Sequence, residues 1–215
     1  VQNHPKALQP KLIKKLYAHQ LESLYSMLKK EENSPGGTGF LCDDTGLGKS
    51  LTTIGLIVSS PCSLFDNISN NTARLQESLN NGQYFRLKAT LLFVPPTLIE
   101  QWKSEFKEVA PGLNVEIYST EASQANNFYK QIKNKNMSGF KRLYDADVVI
   151  LSSQIRENTF ELINTYYFHR VIIDESHRAI PPIKLVNIVK KFTWFITATP
   201  FKGSHILDCA SYNGI

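Results

Sequence analysis

Cysteine is scarce and poorly spaced for chemistry. Cys42, Cys62 and Cys209 are the 3 cysteines among 215 residues, and no two stand in a C-x-x-C arrangement. An odd, scattered set argues against a disulfide framework or a zinc site built within the chain. Cys42 lies in an apolar run and reads as buried packing. No apolar stretch approaches the roughly 18 residues of a membrane-spanning helix, and no signal-peptide pattern is present. No segment repeats. These absences point to a reducing compartment, cytosol or nucleus, and to no membrane partner. An initiator Met is also missing: the chain runs from Val1 to Ile215, and both ends read as cuts within a longer polypeptide.

What remains is ordinary for a folded domain. The apolar fraction is 42%, and the length suits one α/β domain with a buried core. A net charge of +5 suits a polyanionic partner without requiring one. The Lys14-Lys15, Lys29-Lys30 and Lys190-Lys191 pairs read as solvated helix faces.

Leu16, Leu21, Leu24 and Leu28 recur at helical spacing and predict an amphipathic helix from Leu16 to Lys30. Ser34-Pro35-Gly36-Gly37 predicts a turn. Continuous apolar runs then follow at Gly39–Cys42, Thr90–Val94, Val115–Tyr118, Val148–Leu151, Val171–Ile173 and Trp194–Thr197, most of them separated by helix-like segments. Strands alternating with helices predict βαβ units, and unbroken apolar runs predict strands covered on both faces. Two polar stretches break this rhythm. Residues 61–88, rich in Asn and Ser, read as a long surface excursion, and Asn134 to Tyr144 reads as a shorter basic loop.

The strongest local signal is Phe40-Leu41-Cys42-Asp43-Asp44-Thr45-Gly46-Leu47-Gly48-Lys49-Ser50. An apolar strand enters a glycine-containing turn, then Lys-Ser, then a helix-like stretch opening at Leu51. Gly46 and Gly48 allow backbone N–H groups close to a phosphate, and the helix N-terminus faces the anion. Lys49 suits the β- and γ-phosphates and Ser50 suits Mg²⁺. The G-x-x-x-x-G-K-[ST] pattern is incomplete, because its first glycine falls at Asp43. A chance Gly-Lys-Ser in a strand–turn–helix is the competing reading.

Val171-Ile172-Ile173 leads into Asp174-Glu175-Ser176-His177. A strand that delivers two adjacent carboxylates to its C-terminal end suits phosphoryl transfer: Asp174 for Mg²⁺ and Glu175 for the attacking water. A solvated turn is the competing reading. Phe195-Ile196-Thr197-Ala198-Thr199-Pro200 is a third strand end, where Thr197 and Thr199 could bond to the carboxylates or report the γ-phosphate. A plain strand–turn competes with that.

In this order the motifs resemble those of the first lobe of a superfamily-two helicase-like ATPase, most closely the Swi/Snf branch, from Leu16 to about Ser204. Asp43 through Ser50 is similar to D-E-M-G-L-G-K-T, which also lacks the first glycine. Gln20-Leu21-Glu22 resembles the opening segment whose Gln reads the adenine edge. Phe93 through Trp102 is similar to V-x-P-x-S-L-L-x-x-W, and Asp147 through Gln154 to D-V-V-L-T-T-Y. Asp174-Glu175-Ser176-His177-Arg178 matches D-E-x-H-R, and Thr197-Ala198-Thr199-Pro200 matches T-A/G-T-P.

The resemblance implies an α/β, RecA-like three-layer sandwich with a mostly parallel central sheet and helices on both faces. It implies that residues 1–215 form the first ATP-binding lobe, with the second lobe and its arginine finger elsewhere in the polypeptide. ATP and Mg²⁺ are the implied cofactors, held by Gln20, Asp44, Thr45, Gly46, Leu47, Gly48, Lys49, Ser50 and Leu51, with Ser50 and Asp174 on the metal. His177, Arg178, Thr197 and Thr199 are implied as sensor and coupling residues. Pro96, Thr97 and Ser153 are implied to grip the phosphate backbone of duplex DNA, contacts that position without reading sequence. Trp102 reads as packing in the helix after its strand. The implied activity is DNA-stimulated ATP hydrolysis and translocation that remodels nucleosomes or strips other DNA-bound proteins, in the nucleus, or in the cytoplasm of a bacterial or viral host.

Departures from the family pattern stand at Tyr17-Ala18-His19, where Arg-Pro-Tyr is usual, at Ala179-Ile180-Pro181, and at Phe201-Lys202-Gly203. They bear on adenine stacking and on coupling between lobes more than on phosphate binding. The excursion at 61–88 resembles, in length and place, that of the branch carrying a RING ubiquitin-ligase insert. Two other functions compete: a strand-separating or viral superfamily-two ATPase, and a non-catalytic interaction module that keeps the fold.

Overall fold

In the computed structural model, residues 10–34, 36–62, 85–118, 137–154, 163–164, 166–175 and 188–199 are described. Six strands form one sheet: β1 (Thr38–Leu41), β2 (Phe85–Val94), β3 (Val115–Tyr118), β4 (Val148–Ser152), β5 (Tyr166–Asp174) and β6 (Val189–Ile196). Among the described residues the α-helices are α1 (Ala18–Asn33), α2 (Lys49–Ser59), α3 (Ile99–Val109) and α4 (Met137–Asp145), and a 3₁₀ turn at Pro96–Leu98 precedes α3. The sheet order is β1-β6-β5-β2-β4-β3, and every pairing is parallel.

All six apolar runs are strands, because each supplies residues to both faces of the sheet. One face packs Leu92, Val94, Ile150, Ile172, Trp194 and Ile196 against Leu24 of α1, Ile54 of α2 and Phe106 of α3. The other packs Leu91, Phe93, Val149, Val171 and Ile173 around Leu143 of α4. Alternate residues along a strand point to opposite layers, so an unbroken apolar run fills both. The expected three-layer α/β architecture, with helices on both faces, is the one observed.

Several boundaries differ from expectation. β2 begins at Phe85, inside the polar stretch at 61–88, since Arg86-Leu87-Lys88 alternates and buries Leu87 beside β5. Lys190-Lys191 is the start of β6, not a helix face. Parallel pairing with β5 fixes these residues as strand, and Lys191 lies over the ring of Phe192. The supposed basic loop from Asn134 contains α4, anchored through Leu143 and the buried Ala146 just beyond it. Cys42 is exposed, because β1 stops at Leu41 and the chain leaves the core.

Behind the sheet a buried ionic cluster locks α1 to β5. Arg170 Nε donates to Glu31 Oε1 at 2.6 Å and Nη1 to Thr90 Oγ1 at 3.2 Å. Trp194 Nε1 donates to the same Glu31 oxygen at 2.8 Å, and Ser60 Oγ to Glu31 Oε2 at 2.9 Å. Burial opposes ionisation of Glu31, but Arg170 with Trp194 and Ser60 outweighs it and holds the carboxyl below its ordinary value.

Candidate nucleotide and nucleic-acid site

A wholly parallel sheet brings all strand C-termini to one edge, where α/β folds bind ligands. Register makes this concrete. Leu41 of β1 pairs with Ile196 of β6, which pairs with Asp174 of β5. The loop after β1, the carboxylates after β5 and the threonines after β6 therefore share one rim.

The loop has the backbone a phosphate cradle needs. Gly46 has φ +87° and Gly48 has φ +75°, a region costly for residues with a Cβ. Gly48 caps α2, so the first N–H groups of that helix open onto the loop. Lys49 opens α2, and its ammonium donates to the carbonyls of Asp43 at 2.9 Å and Asp44 at 3.0 Å. Ser50 and Leu51 follow in the first turn, while Asp44, Thr45 and Leu47 are exposed.

Gln20 is only 2% exposed and ties α1 to this loop. Its Nε2 donates to Leu47 O at 3.1 Å, and its Oε1 accepts the Tyr17 N–H at 2.9 Å. A Cβ on Gly48 would stand 2.2 Å from that Nε2, so glycine is required for this approach. His19 Nε2 lies 3.2 Å from Leu47 O. Its ring stacks at 10° on Tyr17, which is 71% exposed, leaving a flat aromatic pair beside the loop.

Asp174 ends β5 with both carboxylate oxygens engaged. Oδ1 accepts the Glu175 N–H at 2.9 Å, and Oδ2 accepts the indole N–H of Trp102 at 2.8 Å. Burial raises the carboxyl above its ordinary value, against these hydrogen bonds and the charge of Lys49. Glu175 has φ +48°, a conformation a non-glycine residue holds only where surroundings impose it, often at a functional site. Thr197 is fully buried and its N–H donates to Leu41 O at 3.1 Å. Its Oγ1 accepts the Thr199 N–H at 3.0 Å, and Thr199 Oγ1 is buried without a hydrogen-bond partner.

These residues fit ATP and Mg²⁺. The glycine cradle, the helix N-terminus and Lys49 supply the anion site. Asp174 and Ser50 carry oxygen atoms of the kind Mg²⁺ takes, and phosphate and water oxygens would complete its shell. The buried Thr199 hydroxyl has no hydrogen-bond partner among the described residues, which leaves it free to meet a ligand oxygen.

The expected DNA-facing residues gather one strand further along. Pro96 and Thr97 are exposed in the 3₁₀ turn, and Ser153 donates its N–H to Val94 O at 2.7 Å. His177 and Arg178 lie outside the described residues. The residue that sequence reasoning missed is Trp102. Its packing role is real, against Phe106 at 5.9 Å, but its N–H also reaches Asp174. The available signal was chemical: a buried indole N–H requires an acceptor.

The profile of the SNF2-related domain matches residues 19–206. The chain is similar to the TATA-binding protein-associated factor MOT1 of Saccharomyces cerevisiae, 28% identical over 171 residues, which cover 77% of this chain and 8% of that protein. It is similar to the DNA repair protein RAD5 of Candida glabrata, 25% identical over 223 residues, covering 89% of this chain and 18% of that protein. Its fold is similar to the Sulfolobus solfataricus SWI2/SNF2 ATPase core in complex with dsDNA, with TM-score 0.64 and 16% identity over 95% of this chain and 36% of that one. The chain thus spans less than a fifth of the length of these two curated relatives.

Proposed function

Since the chain belongs to the SNF2-related domain family, we propose that it is the ATP-binding first lobe of a DNA-dependent ATPase that translocates on duplex DNA and remodels nucleosomes or other protein–DNA complexes. The observation that carries this reading is the shared rim. Strand register sets Asp174 level with Ile196 and Leu41, which supports one ligand shared by the carboxylate pair and the loop after β1.

Each residue then has a role. Backbone N–H groups from Gly46 to Ser50 and the Lys49 ammonium hold the phosphates, and the Tyr17–His19 pair offers a face to adenine. Bound Mg²⁺ would neutralise charge on the β- and γ-phosphates. Asp174 and Ser50 would hold that ion, Glu175 orients or deprotonates the attacking water, and Thr197 with Thr199 senses the γ-phosphate. His177 and Arg178 relay that state onward. Pro96, Thr97 and Ser153 hold the DNA backbone without reading bases. A second RecA-like lobe of the same polypeptide completes the cleft. The nucleus is the expected location in a eukaryote, the cytoplasm in a bacterium.

The test is ATP hydrolysis by the full-length protein with no DNA, single-stranded DNA and duplex DNA, with Lys49→Ala as control. Strong stimulation by duplex, abolished in the variant, supports the translocase. Stimulation by single strands alone supports a strand-separating helicase instead. Absence of hydrolysis in every condition supports a non-catalytic scaffold.

A further inference from the structure

The metal-binding carboxylate and the expected DNA grip are joined by one side chain. α3 begins directly after the exposed Pro96–Leu98 turn, and Trp102 stands one turn into it. Trp102 is 2% exposed, and its Nε1 crosses to Asp174 Oδ2 at 2.8 Å. Among the described residues this is the one hydrogen bond joining α3 to the sheet. The rest of that contact is apolar, through Phe106 and Val109.

Apolar packing tolerates sliding better than a directed hydrogen bond does. Asp174 therefore feels displacement of α3 chiefly through the indole. The span is short: Trp102 stands five positions beyond Thr97, roughly 7–8 Å at 1.5 Å per residue. A shift of the turn as it closes on a phosphate backbone would pass along a rigid element with little loss. The opposite oxygen of Asp174 is held by the Glu175 N–H, so tilting the carboxylate also moves the residue that handles water.

We propose that Trp102 is a positioning residue that couples the nucleic-acid-facing turn Pro96–Leu98 to the Mg²⁺ carboxylate Asp174. In the free protein the indole N–H fixes the carboxylate; when DNA seats on the turn, α3 carries the indole, and with it Oδ2, into the metal-binding pose. This rests on the DNA-dependent ATPase reading above. A buried indole that merely found an acceptor would stabilise the lobe without transmitting anything, and the two roles separate experimentally.

The experiment uses the full-length protein in a Glu175→Gln background, so that binding is read without turnover. A fluorescent ATP analogue is titrated at varied MgCl₂, with and without duplex DNA, in otherwise wild-type protein, Trp102→Phe and Phe106→Leu. Phe106→Leu loosens the same helix without touching Asp174, and thermal unfolding confirms that each variant is folded. Trp102→Phe is expected to retain duplex affinity and metal-free nucleotide binding. Its Mg²⁺ half-saturation should rise roughly 10-fold, as when a partner behind a metal ligand is removed, and duplex should no longer lower it. Phe106→Leu should keep the DNA effect. An unchanged Mg²⁺ response in Trp102→Phe, or an equal rise in Phe106→Leu, overturns the coupling. ATPase assays on the unmodified protein distinguish the two levels. With no stimulation by duplex, the DNA-dependent reading falls and the coupling with it; with full stimulation retained in Trp102→Phe, only the coupling falls.

Discussion

Arg170 and Glu31 form a buried ion pair between the middle of β5 and the last turn of α1, with side chains 1% and 4% exposed. Asp174 lies four residues further along the same strand. The strand that ends at Asp174 is thus pinned from behind by a charge held on the helix that carries Gln20. Position of the phosphate loop and position of Asp174 depend on one shared anchor.

Breaking that anchor from one side should be severe. Glu31→Gln leaves the Arg170 guanidinium without its countercharge in the core, and loss of one partner of a buried pair costs about 3–5 kcal/mol. Replacing both residues by leucine should cost less than either single change. Urea unfolding of the wild type, Glu31→Leu, Arg170→Leu and the double variant gives the comparison, and additive losses would show that the pair acts as two independent contacts. The lowered carboxyl of Glu31 also sets a sign. Its contribution is present above its unfolded value near 4.5 and is lost as pH falls through the lower folded one.

Gly48→Ala should abolish tight nucleotide binding while leaving a folded lobe. The new Cβ would sit 2.2 Å from Gln20 Nε2, at a φ of +75°. The strain is on the order of 1–3 kcal/mol and is concentrated where Gln20 meets the loop. Gly46→Ala, with open space around its Cβ, should be milder. Nucleotide titration of both variants checks the order, and equal effects would place the defect in backbone freedom alone.

The 215-residue chain alone should turn over ATP very slowly, even with duplex DNA. On the proposed reading the cation that meets transition-state charge comes from the second lobe, and such a residue supplies roughly 10³–10⁵ in rate. A comparison of this chain with the full-length protein under saturating duplex decides it. Rapid multiple turnover by the chain alone would falsify the claim that the cleft is half-built.

Much of this was legible because its physics is local. Val171-Ile172-Ile173 before Asp174-Glu175 could be read as a strand end delivering carboxylates, and Gly46 and Gly48 as a turn that lets backbone N–H groups approach a phosphate. What escaped was non-local. Lys190-Lys191 resembles a solvated helix face until parallel pairing with β5 claims it. Arg170 and Glu31, separated by 139 positions, each look like surface charge until the fold buries them together. Trp102 was readable as core, but no spacing rule names the acceptor of its N–H.

His169 supplies a pH-dependent test on the same strand. The ring is 6% exposed, lies edge-on to Phe192 with centroids 5.6 Å apart, and is held neutral, its value lowered to about 4. Burial is the main cause, and the neighbouring Arg170 charge adds to it, with Lys191 in the same sense and Glu31 opposed. In the unfolded chain the group titrates near 6.5. Between about 6.5 and 4 the unfolded state therefore binds the extra proton, and stability falls as pH falls. At about 1.4 kcal/mol per pH unit the loss approaches roughly 3 kcal/mol by pH 4. His169→Phe removes the titrating group and should flatten the fall between pH 6.5 and 5, above the range where Glu31 titrates. Melting temperatures of both proteins across pH 4 to 8 test this: parallel curves would mean that another group sets the acid limit of the fold.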